Sequence, residues 1–416
     1  MQPLPAHSQQ IQIDAFVASK AFWAIAEEIT KEVEATRSAV GRPCTTNAAA
    51  VFLTELVASV TGSIRSAIRY LDDQPTWSRL CQVAQQAWPN DPERRLPEQP
   101  ATRSQHGRYV ERHLAGTNDQ VGTIRATVRR AAVDLIDHLD MFNPSAGAFT
   151  RPDTTQVIAG DGTVLNGMYN TSDPRFIDSA TGEIRTRRVD HDATWSNSKE
   201  GNSPSYTIVD LVAQNSEKGE RVIVDAVLRP KGTGDGTVFC GLVDQLQHDL
   251  TKHDREINAA VYDMALSAEN HDHLLRRGIV PVSKVRLRKN DKPHEFNLGL
   301  CTFTLADGSK RKDKVVVVNG TPHINVAQID GDTPVALIRK QTKKTRTKTG
   351  FRIGSFFEVP DIVEVPTHLR NARVWINHHS KPDEVERRQR RTRNLRVFAP
   401  ADPCYPAIAA IRENTE

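Results

Sequence analysis

The sequence has few of the features that mark exported, membrane-bound or disulfide-stabilised proteins. Its five cysteines lie far apart and form no C-x-x-C pair, which argues against a disulfide framework or a thiolate zinc site. No run approaches the roughly 18 apolar residues of a membrane span, and residues 1–14 do not resemble a signal peptide. Phosphate-binding G-x-x-x-x-G-K loops and G-x-S-x-G elbows are also missing. These absences predict a soluble protein of the reducing cytoplasm that has no membrane partner.

The charge is distributed unevenly along the 416 residues. Charged residues make up 25% and hydrophobic residues 38%, which excludes a wholly disordered chain. The formal net charge is +4, but residues 281–400 hold 25 Lys and Arg against 12 Asp and Glu, a local net charge of +13. The rest of the chain therefore carries 4 − 13 = −9. Residues 281–400 therefore carry a larger positive net charge than the whole chain.

Hydrophobic spacing divides the chain into a helical front part and an α/β region. Apolar residues recur at three- and four-residue steps over 13–141, which predicts a helical domain over 1–148. From residue 155 the pattern predicts three strands, a helix, a strand, a helix and a strand, at 156–159, 206–213, 220–228, 238–250, 257–262, 270–277 and 280–287. This order predicts a mixed α/β sheet over 149–288 whose later strands are parallel.

The basic segment follows the predicted sheet. Residues 289–400 lose the helix alternation, and Asp-Gly or Asn-Gly pairs at 307–308, 319–320 and 330–331 predict hairpin turns. We therefore expect a β-rich basic insertion over 289–400, and the start of a final helix over 401–416.

Three acidic residues are candidates for catalysis. Asp161 follows the first predicted strand within A-G-D-G-T, where a hairpin turn is the alternative. Asp263 ends an apolar strand, a place where ligand sites gather in α/β sheets, although such residues also cap helices. Glu416 lies in the final helix, where the alternative is a solvated helix end.

These segments together resemble the DDE transposases of bacterial insertion sequences, of the actinobacterial type. Residues 157–165 resemble the first-aspartate strand of that family, and residues 260–284 resemble its second-aspartate region. Arg412 and Glu416 match the R-x-x-x-E helix that carries the third acid. The chain departs from the family at Ala409, where a tyrosine is common.

The resemblance implies an RNase H-like catalytic core and metal-dependent DNA strand cleavage and transfer. Asp161, Asp263 and Glu416 would hold two Mg²⁺ or Mn²⁺ ions, and Glu413 is the rival for the third acid. Arg412, one helical turn from Glu416, would contact a DNA phosphate. The implied partners are double-stranded transposon-end and target DNA and a second copy of the chain, in the bacterial cytoplasm.

Basic residues in the insertion predict DNA contact. Two runs hold many basic residues and no acid, and such groups bind phosphates without sequence preference, although a solvated face is the alternative. The predicted contacts are Arg339, Lys340, Lys343, Lys344, Arg346, Lys348, Arg387, Arg388, Arg390, Arg391 and Arg393.

Other motifs have structural interpretations beside functional ones. Residues 50–70, with a turn at 62–63, could form a helix-turn-helix bearing Arg65 and Arg69, or only a packed core. The histidines at 271, 273, 378 and 379 predict surface or helix-capping roles rather than a zinc site. The glycine-rich stretch 229–236 is interpreted as a strand-to-helix turn.

Two alternative functions remain open from the sequence. One is a truncated, non-catalytic transposase remnant that only binds DNA, because the chain stops at the third acid. The other is a host nuclease with the same fold, which would cut DNA without joining it.

Overall fold

The chain divides into two compact units in a computed structural model. The units are Met1–Ala131 and Ala132–Glu416. The structure describes residues 6–36, 47–111, 118–166, 173, 175–187, 193–198, 201–215, 221–285, 295–328 and 331–413.

The first unit is helical, as the apolar spacing predicts. Its helices are α1 (Ala6–Ala18), α2 (Lys20–Thr36), α3 (Ala48–Thr61), α4 (Ile64–Leu71), α5 (Gln74–Ala87) and α6 (Arg103–Tyr109), followed by α7 (Asn118–His138), which continues into the second unit. Several helices begin where a polar side chain accepts a hydrogen bond from a free backbone N–H, as Ser63 does from Ser66. Leu53, Trp77 and Leu80 are almost completely buried in the core of this unit.

After the end of α7, the second unit continues with strands, two helices and further strands. In chain order these are β1 (Val157–Ala159), β2 (Gly162–Asn166), β3 (Arg175–Ile177), β4 (Ile184–Thr186), β5 (Thr194–Ser198), β6 (Gly201–Gln214), β7 (Arg221–Leu228), α8 (Asp235–Thr251), β8 (Ala259–Val261), α9 (Ala268–Arg277) and β9 (Val280–Val282). β3 and β4 form a separate two-stranded hairpin.

The first sheet is mixed, and its later strands are parallel. Its order is β2-β6-β1-β8-β9, and β5 and β7 also pair with β6. β1 is antiparallel to β6 but parallel to β8, and β8 is parallel to β9. The predicted mixed α/β sheet is thereby confirmed.

Asp161 does not lie in a hairpin turn, so that alternative is wrong. β1 and β2 both pair with β6, where Ala159 faces Val212 and Gly162 faces Val209. The register with β6 is the same on both sides of the interruption, because three residues separate Ala159 from Gly162 and three separate Val212 from Val209. β1 and β2 are therefore two parts of one strand, interrupted at Gly160 and Asp161.

A second sheet follows the first, and all its paired strands are antiparallel. Its strands are β10 (Glu295–Thr304), β11 (Lys310–Val318), β12 (Thr321–Gln328), β13 (Gly331–Ala336), β14 (Ile338–Thr347), β15 (Gly350–Glu358) and β16 (Arg373–Asn377), in the order β13-β12-β11-β10-β16-β15-β14. The predicted turns at Gly308 and at Asn319–Gly320 are confirmed, with φ of 83°, 48° and 87°. The turn predicted at 330–331 includes residues outside the described part.

The chain then returns to the first sheet. A short helix α10 (Pro382–Glu386) leads through a 3₁₀ turn (Arg391–Arg393) to the last described helix, α11 (Tyr405–Glu413). Ile408 and Ile411 of α11 pack against Val157 and Val261 on one face of the sheet. Side chains alternate along a strand, so Ile158 and Ala260 point to the opposite face, where they pack with residues of α8.

Among the described residues no single helix is long and apolar enough to cross a membrane. α3 and α4 meet the criterion only when taken together, across a bend of 114°.

Candidate active site

Asp161 and Asp263 occupy matched positions at the ends of two neighbouring parallel strands. Ala159 of β1 is in register with Val261 of β8, and each aspartate lies two residues further along its strand. The Gly160 N–H donates to the carbonyl of Val261 at 3.0 Å, which continues the pairing toward the two acids. By the alternation of side chains, both aspartates lie on the sheet face that α11 covers.

Arg412 of α11 reaches this site. Its Nη2 donates to Oδ1 of Asp161 at 3.1 Å, and the two side chains are 26% and 22% exposed. Asp263 and Arg412 line one small cavity of about 140 Å³ together with Lys284, Tyr405 and Glu413. The final helix therefore brings a cation and an acid to the two aspartates. Glu416, the predicted third acid, lies outside the described residues.

Asp210 on β6 is a further acid at this site, and the sequence analysis did not identify it. The constant register places Asp210 directly opposite Asp161. Its Oδ1 accepts a hydrogen bond from the Asp161 N–H at 2.8 Å, and its own N–H donates to the Asp161 carbonyl at 3.1 Å. Burial, together with the negative charge of Asp161, raises the pKa of the Asp210 carboxyl. Nothing in the sequence around residue 210 identifies this pairing.

The hydroxyl of Tyr262 is buried among acids. Tyr262 is 2% exposed, and its hydroxyl has no hydrogen-bond partner among the described residues. Burial raises the pKa of this hydroxyl, and the charges of Asp235, Asp263, Asp161 and Asp210 add to that effect. The hydroxyl therefore stays protonated, and it lies on the opposite sheet face from Asp263.

The glycine-rich stretch 229–236 joins β7 to α8, which confirms the predicted strand-to-helix turn. Arg229 Nε lies 2.8 Å from Oδ1 of Asp235, the first residue of α8. Its Nη1 donates to the carbonyl of Thr233 at 2.9 Å. Arg229 therefore holds together the two ends of the turn between β7 and α8.

A basic groove borders Asp263. A cavity of about 510 Å³ is lined by Met264, the residue after Asp263, and by Lys284, Arg388 and Arg393. Met264 and Lys284 also line the smaller cavity at the aspartates. The groove is thus continuous with the candidate active site.

Two of the predicted DNA contacts are buried in ion pairs. Arg339 and Asp402 form a two-pronged pair with N–O distances of 2.6 and 3.0 Å, and each side chain is 6% exposed. Arg391 is 5% exposed, and its Nε donates to Glu384 at 2.9 Å. Both guanidinium groups have carboxylate partners inside the protein.

The other predicted contacts are more accessible. Lys344 pairs with Glu256, Lys340 with Glu358, and Arg390 with Glu269 and Asp272. Lys343, Arg346, Lys348, Arg387, Arg388 and Arg393 are exposed, as is the ion-paired Lys340. The basic runs therefore divide into ion-paired residues and an exposed set.

The predicted surface role of the histidines is wrong for His271 and His378. Both are almost completely buried, and each ring accepts or donates a hydrogen bond to a serine hydroxyl, Ser283 at 3.0 Å and Ser355 at 2.8 Å. Burial lowers the pKa of His271 well below its usual range. These side chains serve the packing of the second unit.

In the described part of the chain, no group of three or more His, Cys, Asp or Glu side chains is placed so that it could hold a metal ion. The donors that Asp161 and Asp263 offer are carboxylate oxygens, the type that Mg²⁺ and Mn²⁺ prefer.

The predicted helix-turn-helix corresponds to α3 and α4. The helices are joined by Gly62 and Ser63, and Arg65 and Arg69 are exposed on the second helix. Most of the apolar side chains of α3 are buried in the helical core, so the packing explanation holds beside the DNA-binding one.

Comparison with known proteins does not assign a family. No protein-family model matches the chain, and neither does any curated protein.

Proposed function

We propose that the chain is a DDE-type DNA transposase with an RNase H-like core, which catalyses divalent-metal-dependent DNA strand cleavage and transfer. The proposal rests on one arrangement: Asp161 and Asp263 lie at matched positions on adjacent parallel strands, and Arg412 contacts Asp161. The mixed sheet supports the RNase H-like core, because the antiparallel strands that pair with β6 come first in the chain and the parallel strands β8 and β9 follow, with helices on both faces.

The donor chemistry of the site fits Mg²⁺ or Mn²⁺. Asp161 and Asp263 would supply two of the ligands, and Glu413 or Glu416 the third. When bound, a pair of such ions would activate the attacking oxygen and stabilise the leaving oxygen of the phosphodiester. Two carboxylates on one sheet face repel each other, and the Arg412 guanidinium beside Asp161 offsets part of that charge.

The basic groove would hold the DNA backbone beside the acids. Lys284, Arg388 and Arg393 place positive charge along a cavity that begins at Met264, so phosphates bound there would lie next to Asp263. Arg339 and Arg391 are left out of this set, because their guanidinium groups are buried in ion pairs. The exposed residues of the two basic runs would extend the contact to flanking DNA.

The helical unit would recognise the transposon end. Arg65 and Arg69 lie one turn apart on α4, where both can face a DNA groove or its phosphates. A transposase joins two DNA ends, so we also propose a homodimer on DNA, working in the bacterial cytoplasm.

A nicking and joining assay tests the proposal. Labelled DNA that carries the element's ends is incubated with Mg²⁺ or Mn²⁺ and with the parent chain, Asp161→Asn or Asp263→Asn. Asp307→Asn is the control, because Asp307 lies in an exposed Asp-Gly turn of the second sheet. We expect nicking and joined products from the parent and the control. The site variants should lose more than about 100-fold, because loss of a residue that only orients a metal ligand already costs about 10- to 100-fold.

Each other outcome has a definite meaning. Nicking without joined products would favour the host-nuclease alternative. Salt-sensitive DNA binding without nicking would favour the DNA-binding remnant. Full activity of either site variant would refute the assignment of that aspartate. Comparing Glu413→Gln with Glu416→Gln identifies the third acid, since only the true ligand should lose activity.

A further inference from the structure

The interruption between β1 and β2 is bridged by a side chain instead of a backbone carbonyl. In a regular antiparallel pair, the Asp161 N–H would donate to the carbonyl of the facing residue. Here it donates to the carboxylate of Asp210 at 2.8 Å, while the Asp210 N–H donates to the Asp161 carbonyl at 3.1 Å. Both backbone hydrogen-bonding groups of Asp161 are therefore held by one residue.

Gly160 explains why the chain can come so close to β6 at this point. A Cβ atom on Gly160 would lie 2.8 Å from the Asp210 carbonyl oxygen and 2.5 Å from ring carbons of Phe239. On the other side of the strand, the Gly160 N–H donates to the Val261 carbonyl of β8 at 3.0 Å. The break is thus packed on both sides and is not a loose loop.

This arrangement has an electrostatic cost. Asp161 and Asp210 face each other across two strands, and like charges directly opposite destabilise a sheet. An asparagine at position 210 would offer the same acceptor oxygen without the charge. The acceptor oxygen that holds the Asp161 N–H is therefore the feature of Asp210 that matters at this break.

We propose that Asp210 is a positioning residue, whose carboxylate fixes the backbone of Asp161 so that the Asp161 side chain points into the proposed metal site. This inference rests on the proposed function, since it deepens the role of the same site. Asp210 acts through Asp161 and through the hydrogen-bond acceptor at its Oδ1, so its charge is dispensable for this role.

Two substitutions separate the acceptor from the charge. Asp210→Asn keeps an oxygen acceptor and removes the charge, whereas Asp210→Ala removes both. Asp225→Ala is the control, because Asp225 is a buried aspartate on the neighbouring strand β7 whose carboxylate also accepts a backbone N–H, that of Ala226. Thermal melting of each variant reports whether it folds.

The first readout does not depend on activity. Hydrogen exchange of a peptide spanning residues 157–166 reports on the Asp161 N–H. Asp210→Ala should speed exchange in this peptide by about tenfold, because one hydrogen bond is lost. Asp210→Asn and Asp225→Ala should leave the exchange of this peptide close to that of the parent.

The second readout is nicking kinetics on end-containing DNA. Asp210→Ala should lower kcat by about 10- to 100-fold with KM for DNA unchanged, the usual effect of losing a group that orients a ligand. Asp210→Asn should rescue kcat to near the parent value.

Two results would overturn the proposal. One is an Asp210→Asn variant as impaired as Asp210→Ala, which would mean that the charge itself is needed. The other is unchanged exchange at residues 157–166 in Asp210→Ala. A parent chain without nicking activity would count against the proposed function alone, and the exchange measurement would still decide the role of Asp210.

Discussion

Substitution of Arg339 by methionine should lower the free energy of unfolding and leave DNA binding almost unchanged. The Arg339 guanidinium forms two hydrogen bonds with Asp402, donates to the Thr150 carbonyl at 2.7 Å, and lies over the ring of Phe398. Because both partners of the ion pair are only 6% exposed, the substitution leaves a carboxylate buried without its cation. Removal of one member of a buried pair costs about 3–5 kcal/mol. We expect this loss in the free energy of unfolding.

Lys343 provides the matched control on the same strand. It is exposed, and its Nζ lies 5.3 Å from the centre of the Phe356 ring. Lys343→Met should change stability by less than about 0.5 kcal/mol but lower the slope of log K against log salt for DNA binding by about 1. Urea unfolding measures the first quantity and a fluorescence titration at several salt concentrations the second.

A second substitution tests whether the uncompensated charge causes the instability. Arg339→Met combined with Asp402→Leu removes both charges, so it should recover part of the lost stability. The reasoning would be refuted if Arg339→Met unfolded at the same urea concentration as the parent and reduced the salt slope as Lys343→Met does.

Three further predictions concern the site strand, a buried histidine and the basic groove. Gly160→Ala should destabilise the second unit by about 1–3 kcal/mol through overpacking. Gly241→Ala is the control, because Gly241 lies on an open helix surface where the substitution should not lower stability. Thermal melting measures both variants. Burial lowers the pKa of His378 to about 3, so only the unfolded state takes up this proton as the pH falls below 6.5. The free energy of unfolding should fall by up to about 1.4 kcal/mol for each unit that the pH drops between 6.5 and about 3. His378→Gln should remove this contribution, and equal pH slopes in the parent and the variant would contradict the prediction. Arg393→Gln should lower the salt slope of DNA binding by about 1, while Arg391→Gln should mainly lower the melting temperature.

Local chemistry explains why many elements could be predicted. The helix before Gly278 ends there because that glycine adopts φ of 84°, which other residues rarely take. The hairpin at Asn319–Gly320 follows from the same preference for positive φ. In both cases the deciding interactions lie within a few residues, so a single sequence contains the information.

Long-range pairing explains what could not be predicted. Arg339 and the exposed Lys343 belong to one basic run, and only the position of Asp402, 63 residues away, makes the first a buried structural residue. Asp210 likewise became part of the site through strand register. Charge patterns do not contain such information, because they do not specify which distant residue faces which.

The contact between Arg412 and Asp161 can form only late in synthesis of the chain. Its two members are 251 residues apart, with the whole second sheet between them. At about 5–20 residues per second, the ribosome needs roughly 10–50 s to pass from one to the other. During that time the first aspartate strand exists without its cationic partner. The pairing of α11 with β1 is therefore a late step in biosynthesis, completed only when nearly all of the described chain has been synthesised.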